Sequence, residues 1–499
     1  MKNNNFIKLN IFILLLVFTS CDDVLDESPD NRTEIDSLEK ISELLVNAYP
    51  QAIYASFLEP LSDNADDKSF SASQNDLNDF MYGWEDFFDD DEDTPTNYWN
   101  NAYEAISQAN QALASLDEIE QIDVNQRGEA LLCRAYGHFM LVNIFAKAYD
   151  PATASSDLGI PYVITPETTL LPNYTRNTVQ EVYEKIEADL VEGLNYLGSD
   201  LNYEQPKFHF TLRAANAFAS RFYLVTGEWQ KVINHSNAVL GTGSNIADIR
   251  DYTNDYRGAG LSYSERSLRF SASVEPANLL IVVGASVYAR NHAGSRFQLN
   301  GDLARELFFN GNAAGLAWSE QVFGQDLFLN VPKYDEFFRV TNQAAGIGLP
   351  FIQTPILTTD ETMFNRAEAY AMLGELQLAL NDLNALLSVK SQAYTSAAEL
   401  SIAEVSANFG ADSNFYTPFY DIPTNTLPFI NVILQTKRSV FYNEGLRWFD
   451  VKRHDIEIEH ERDITPNVSE TLILVKGDNR RALQIPTEAQ SRGILPNPR

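Results

Sequence analysis

Cysteine is nearly absent from this chain of 499 residues. The two present, Cys21 and Cys133, are too few for a disulfide framework or a zinc cluster. Cys133 lies in the apolar, helical stretch GEALLCRAYGHFML and reads as a small buried thiol. Positive charge is also scarce, with 36 Lys and Arg against 69 Asp and Glu and a formal net charge of −33. A field of that sign repels nucleic acid and anionic lipid headgroups and leaves a neutral ligand unaffected. Long apolar runs are missing too. The run from Ile11 to Phe18 is too short to cross a bilayer.

Catalytic signatures are lacking as well. There is no His-Glu-x-x-His, no Gly-x-Ser-x-Gly and no P-loop. The six histidines (His138, His209, His235, His292, His454 and His460) show no metal-ligand spacing. His138 reads as a satisfied core residue within a helix, and His292 as a residue of an irregular surface stretch. The acidic run EDFFDDDED, Glu85 to Asp93, lacks the alternating spacing and the glycine of an EF-hand loop, so it reads as a solvated loop. No metal site and no cofactor is expected. Paired carboxylates for glycoside hydrolysis need proximity in space, and among 69 acidic residues chance pairs carry no information.

What the chain has is helical periodicity. Met363 to Leu387, MFNRAEAYAMLGELQLALNDLNALL, reads as two amphipathic helices joined at Gly374. Met363, Ala367 and Tyr370 share a face of the first helix; Leu376, Ala379, Leu380, Leu383, Leu386 and Leu387 share a face of the second. Ala219 to Leu240 repeats the phrase. With Gly227 set on Gly374, Tyr223 falls on Tyr370, Glu228 on Glu375 and Leu240 on Leu387. A glycine there closes the first helix in the left-handed conformation. The unit resembles the tetratricopeptide helix–turn–helix, which must stack on a neighbour to bury its apolar face.

The N-terminus follows the order of a secretory signal: Lys2 and Lys8, an apolar run, then Thr19, Ser20 and Cys21. The last three resemble a bacterial lipobox, with Phe18 where Leu is usual. Cleavage would leave Cys21 as a lipidated first residue. Asp22, Asp23, Asp26 and Glu27 follow at once and resemble a surface-export tag.

Further along, helices are expected over 34–48, 96–116, 126–149, 179–197, 212–240, 362–387 and 429–449. Residues 59–95 break the pattern, and 241–360 turn rich in Gly, Asn, Ser and aromatics, with strand-like runs such as Leu279 to Val283 and a short helix near Leu303 to Phe308. The tail from Leu472 is expected to be extended.

Three further stretches carry a family likeness. They are RAYGHFMLVNIFAKAYDPATASSDLGIPYVITPE from Arg134, KRSVFYNEGLRWFDVKRH from Lys437, and LQIPTEAQSRGILPNP from Leu483. With the lipobox and the RAEAYAMLG repeat, their order and spacing resemble the SusD/RagB family of outer-membrane nutrient-binding lipoproteins. The tail lacks the Asn-Pro-Gly-Tyr ending often seen there, although Asn497-Pro498 remains. The resemblance implies a mainly α fold, a tetratricopeptide-like hairpin scaffold with an irregular, loop-rich subdomain. It implies a signal peptide at 1–20, a lipidated tether at 21–33 and a SusD-like domain at 34–499. Within that domain the scaffold is 34–240 and 361–460, the insert 241–360 and the tail 461–499. It further implies non-catalytic capture of glycans outside the outer membrane and delivery to a SusC-like TonB-dependent transporter. A peptide or glycopeptide binder of the same architecture, a surface glycoside hydrolase and a structural repeat adaptor are the alternatives.

Sugar binding calls for flat aromatic faces with amides, carboxylates and cations around them. Trp99, Trp229 and Trp448 follow helical patterns and are expected in the core. Trp84 and Trp318 lie in irregular stretches and are expected as platforms. Asp66, Lys68, Asn75 and Tyr82 from the first irregular region, with Tyr288 and Arg290 from the second, complete the expected ligand-binding set.

Overall fold

The computed structural model describes residues 35–121, 124–167, 173–198 and 203–499. The expected signal peptide, the tether and Cys21 fall outside them. The first helices are α1 (Leu38–Leu45), α2 (Asp76–Tyr82), α3 (Pro95–Glu118), α4 (Asn125–Phe145) and α5 (Val179–Tyr196). Helix α3 starts where the Thr94 side chain accepts from the Asn97 N–H and Pro95 supplies a preset first residue. Helix α4 packs between α3 and α5, with α1 across the first pair. Nearly all of α4 is buried, and most of its polar residues are paired within the core. Arg134 makes two 2.7 Å bonds to Asp189 of α5. His138 donates from Nδ1 to the Arg134 carbonyl and accepts the Val163 N–H at Nε2. Burial pulls its pKa down to about 3, keeping it neutral. The Gly-Ile-Pro-Tyr segment is thereby laid along α4, with Tyr162 stacked on His138 at 3.8 Å.

The two glycine-joined hairpins are α6 (Leu212–Val225) with α7 (Trp229–Leu240), and α8 (Thr359–Met372) with α9 (Leu376–Lys390). Gly227 and Gly374 take φ of +73° and +79°, the left-handed turn that a side chain would strain. Helix α8 packs against α6 and α7, so the second hairpin stacks on the first. Arg366, in the RAEAY phrase, shows what joins them. It is buried, makes two 2.8 Å bonds to Asp382 of α9, and donates to the Gly241 and Gly243 carbonyls beyond α7.

Between the hairpins, residues 241–358 hold more regular structure than the sequence suggests. β1 (Asn278–Ala285), β2 (Glu336–Asn342) and β3 (Ile347–Thr358) form an antiparallel sheet in the order β1–β3–β2. Pro350 and Pro355 lie in the central strand, where proline ordinarily argues against a strand. The short helix near Leu303 begins at Gly301 and continues as a π-wound turn over Arg305–Phe309.

The single helix expected over 429–449 is two, α10 (Leu427–Val440) and α11 (Leu446–Arg453). The break is held from far away in the chain. The buried carboxylate of Glu59 accepts the N–H groups of Asn443 and Gly445, both at 2.7 Å. Both residues have positive φ, and a Cβ at Gly445 would lie 3.0 Å from the Ala55 Cα. The tail also departs from an extended strand. β4 (Ile458–Thr465) and β5 (Val468–Leu474) form a hairpin, and a short helix spans Thr487–Ser491. Among the described residues no helix is long and apolar enough to cross a membrane.

Two outcomes are expected. Asp382→Ala strands a buried guanidinium and costs about 3–5 kcal/mol in chemical unfolding. Burial by itself would raise the Glu368 carboxyl, but the Arg453 guanidinium overrides it and holds the group well below the ordinary carboxylate range. A depressed folded pKa contributes stability that is complete above the unfolded value, about 4.5, and is lost as pH falls. Urea unfolding midpoints therefore drop below that pH, and Glu368→Gln flattens the drop while lowering stability at neutral pH.

Candidate functional site

Two stretches without helical pattern, 66–94 and 287–298, meet face to face. Asp66 and Asp67 pair with Gln298 and Phe297 in a short antiparallel ladder. The Asn78 amide closes on the Phe297 backbone from both sides, at 2.9 Å each. The Arg296 guanidinium grips Asp67 through two bonds of 2.8 and 2.5 Å. At the far end the Asp93 carboxylate accepts the Val287 N–H at 2.9 Å, and its carbonyl accepts the Ser56 hydroxyl. Asp93 has a φ of +72°. Burial raises its carboxyl to about 6, against the pull of hydrogen bonds from Ser286 and Val287.

These ties leave an open cleft of about 560 Å³. Gln74, Asn75 and Asp76 form one wall with Phe87, Asp89 and the run 91–93; Tyr288, Asn291, His292 and Gln298 form the other. Phe87 is half-buried and packs edge-on against the exposed Phe80. The lining is largely polar, and its benzenoid rings are those of Phe87 and the buried Tyr288.

The expected site residues do not assemble as a set. Asn75 and Tyr288 line the cleft, but Asn75 spends its oxygen capping α2 and Tyr288 is buried, with its hydroxyl on Asn443. Arg290 is exposed beside it and paired with Glu336. Lys68 is buried, with Nζ donating to the Ala293 and Leu327 carbonyls, and burial lowers its pKa to about 7. Asp66 is half-buried, accepts from the Asn300 amide and faces a second cleft with Tyr82.

Both tryptophan platforms are corrected. Trp84 is 4% exposed and Trp318 6% exposed. Trp84 donates from Nε1 to the Leu61 carbonyl and stacks on His460 at 4.4 Å. The other face of His460 meets Tyr82 at 3.9 Å, and Tyr82 meets Phe297 at 4.0 Å. Tyr82, fully buried, is corrected with them. These rings are consumed by one another, so none offers a face to a ligand. Trp318 packs into the core beside the Ser391 bridge, with its indole nitrogen unpartnered. Sequence reasoning had no signal for the stack, because His460 lies 378 residues from Tyr82. It also missed Phe87 and Gln298, although the irregular composition around each marks the right two regions.

A SusD-like family model described as "Starch-binding associating with outer membrane" matches residues 23–224. The SusD-like protein P2 of Formosa agariphila is 26% identical over 265 residues, a match covering 49% of this chain and 47% of that protein. The chain thus spans about half the length of that curated relative in the match. The fold is shared across nearly the full length with solved structures. A SusD superfamily protein from Bacteroides thetaiotaomicron aligns over 93% of this chain and 100% of its own, with a TM-score of 0.63 at 18% identity. A SusD-like carbohydrate-binding protein from Bacteroides vulgatus aligns over 91% and 96%, with a TM-score of 0.61 at 14% identity. The chain is thus similar to SusD-like proteins in its N-terminal part, and it shares the fold of SusD superfamily structures along nearly its whole length.

Proposed function

We propose that this protein captures glycans at the outer face of the outer membrane and passes them, uncleaved, to a SusC-like TonB-dependent transporter. The observation that carries the reading is the cleft between 74–94 and 287–298. It is open, polar, braced on both sides by buried hydrogen bonds, and edged by an aromatic side chain. Amides and carboxylates set around a ring face suit hydroxyl-rich chains. The starch-binding description of the family model and the carbohydrate-binding relative support the same ligand class. Phe87, Asn75, Asn291 and Gln298 replace the buried tryptophans as the contact residues of this proposal.

Residues 1–20 serve as the lipoprotein signal, Cys21 carries the lipid and 21–33 form the tether in this reading. The helical hairpins are the scaffold, 241–360 the insert and 461–499 the tail. A cleft this open holds a ligand weakly on its own; closure against the transporter supplies the retention.

The test is affinity electrophoresis or calorimetry against a panel of soluble glycans. Phe87→Ala and Asn291→Ala each weaken the bound glycan by about 3- to 10-fold, the worth of a ring face or a hydrogen bond. Trp318→Ala costs about 3–5 kcal/mol of stability and leaves glycan affinity unchanged. Unchanged affinity in both cleft variants would remove the cleft as the site. A reducing-end assay on the retained glycan shows no product. Cys21→Ser shifts the protein from the membrane fraction to the soluble one.

A further inference from the structure

The cleft is more acidic than a neutral glycan requires. Asp76, Asp89, Asp91, Glu92 and Asp93 all line it, and among the described residues no lysine or arginine does. His292, the remaining titratable nitrogen base of the lining, is kept below its ordinary pKa by burial, and both ring nitrogens already meet Tyr288 and Asn330 oxygens.

The hydrogen-bonding groups are lopsided in the same sense. Most donors of the lining are spent on the protein itself. Ser56 donates to the Asp93 carbonyl, Gln74 to Ala72, Asn78 to Phe297, Thr94 to Asp91, Tyr288 to Asn443 and Ser295 to Asn291. The amides of Asn75, Asn291 and Gln298 remain. Acceptors are in surplus. Asp93 Oδ1 and Gln298 Oε1 are buried without a partner, on side chains whose residues are only 5% and 2% exposed. Native interiors rarely leave such atoms unpaired; the ordinary partner is an ordered water or a ligand group.

A sugar hydroxyl brings one donor and two acceptors, whereas an ammonium brings three donors, a positive charge and no acceptor. Sulfate and carboxylate bring acceptors and negative charge to a wall that already has too much of both. From the cleft's surplus of acceptors, its five carboxylates and its lack of a cation, we infer that it selects glycans with free amino groups, non-acetylated hexosamine units, and excludes sulfated and uronate chains. The inference rests on the reading of this cleft as a glycan site and names the class of glycan.

Calorimetry with a β-1,4-glucosamine hexamer and its N-acetylated counterpart isolates the amine on one backbone. The free amine binds tighter on the order of tenfold at low salt, as expected for one charge near two carboxylates across water. The difference closes in about 0.5 M NaCl, where screening is short-ranged. It also closes in the triple variant Asp89→Asn/Asp91→Asn/Glu92→Gln, whose sites are exposed or half-buried and so tolerate the change. A hexagalacturonate does not bind. Equal binding of the two hexamers, or a difference that survives the triple variant, overturns the amine preference and leaves the glycan reading standing. Failure of neutral, amino and acidic glycans alike, with a hexalysine peptide bound, overturns both.

Discussion

Four rings laid one upon another hold the cleft-bearing end of this molecule together. Phe297, Tyr82, His460 and Trp84 stack with centroid separations of 4.0, 3.9 and 4.4 Å. They come from the insert, the first irregular region and the C-terminal hairpin. Arg480 lies over the outer face of Trp84, 5.8 Å from its ring. The two nitrogens of His460 face the Tyr82 and Ser62 carbonyls, so the ring is fixed in plane as well as in height. Trp84 tolerates a left-handed φ of +52° within this arrangement. A bulky residue keeps such a conformation only where its surroundings over-determine it. The segment leaving Trp84 is the acidic run of the cleft, so the stack sets where that wall stands.

Buried charge does the corresponding work in the scaffold. Arg134 with Asp189, Arg366 with Asp382, and Arg453 with Glu368 are nearly sealed from water. Each pair joins elements that apolar packing alone would leave free to slide. Such pairs add little net stability over apolar residues of like size, but breaking one is costly. Their effect here is to define which helix lies against which. Arg366 gains its remaining bonds from carbonyls after the other hairpin, so the stacking of the two repeats is specified by one side chain as well as by their apolar faces.

The cleft shows the opposite economy. Where the scaffold neutralises its buried charges, the wall from Asp89 to Asp93 is left with carboxylates and, among the described residues, no lysine or arginine lining the same space. Asp89, Asp90 and Asp91 bring their carboxylates within 4.8 Å of one another at the surface. Water screens that repulsion when the wall is open. In the proposed reading, a ligand that displaces the water meets an undiluted negative surface, and charge becomes the first discriminator of what can enter.

The chain's own order of residues determined whatever depends on neighbours three and four places away. The helices α3 to α9 follow from apolar spacing, and the hairpin turns follow from Gly227 and Gly374, because both causes act within one or two turns of helix. The buried fate of His138 and Cys133 was legible for the same reason. The tertiary structure alone decided which aromatics meet solvent. Trp84 and Trp318 lie in stretches with no periodicity, so nothing local tells which way they face, and their partners are Leu61, His460 and the Ser391 strand region. The break between α10 and α11 has the same origin. The apolar pattern runs through it unaltered, and the carboxylate that opens it belongs to Glu59, 384 residues before Asn443. Periodicity reports a segment's own geometry; exposure in an irregular segment is set by whatever distant chain is laid over it.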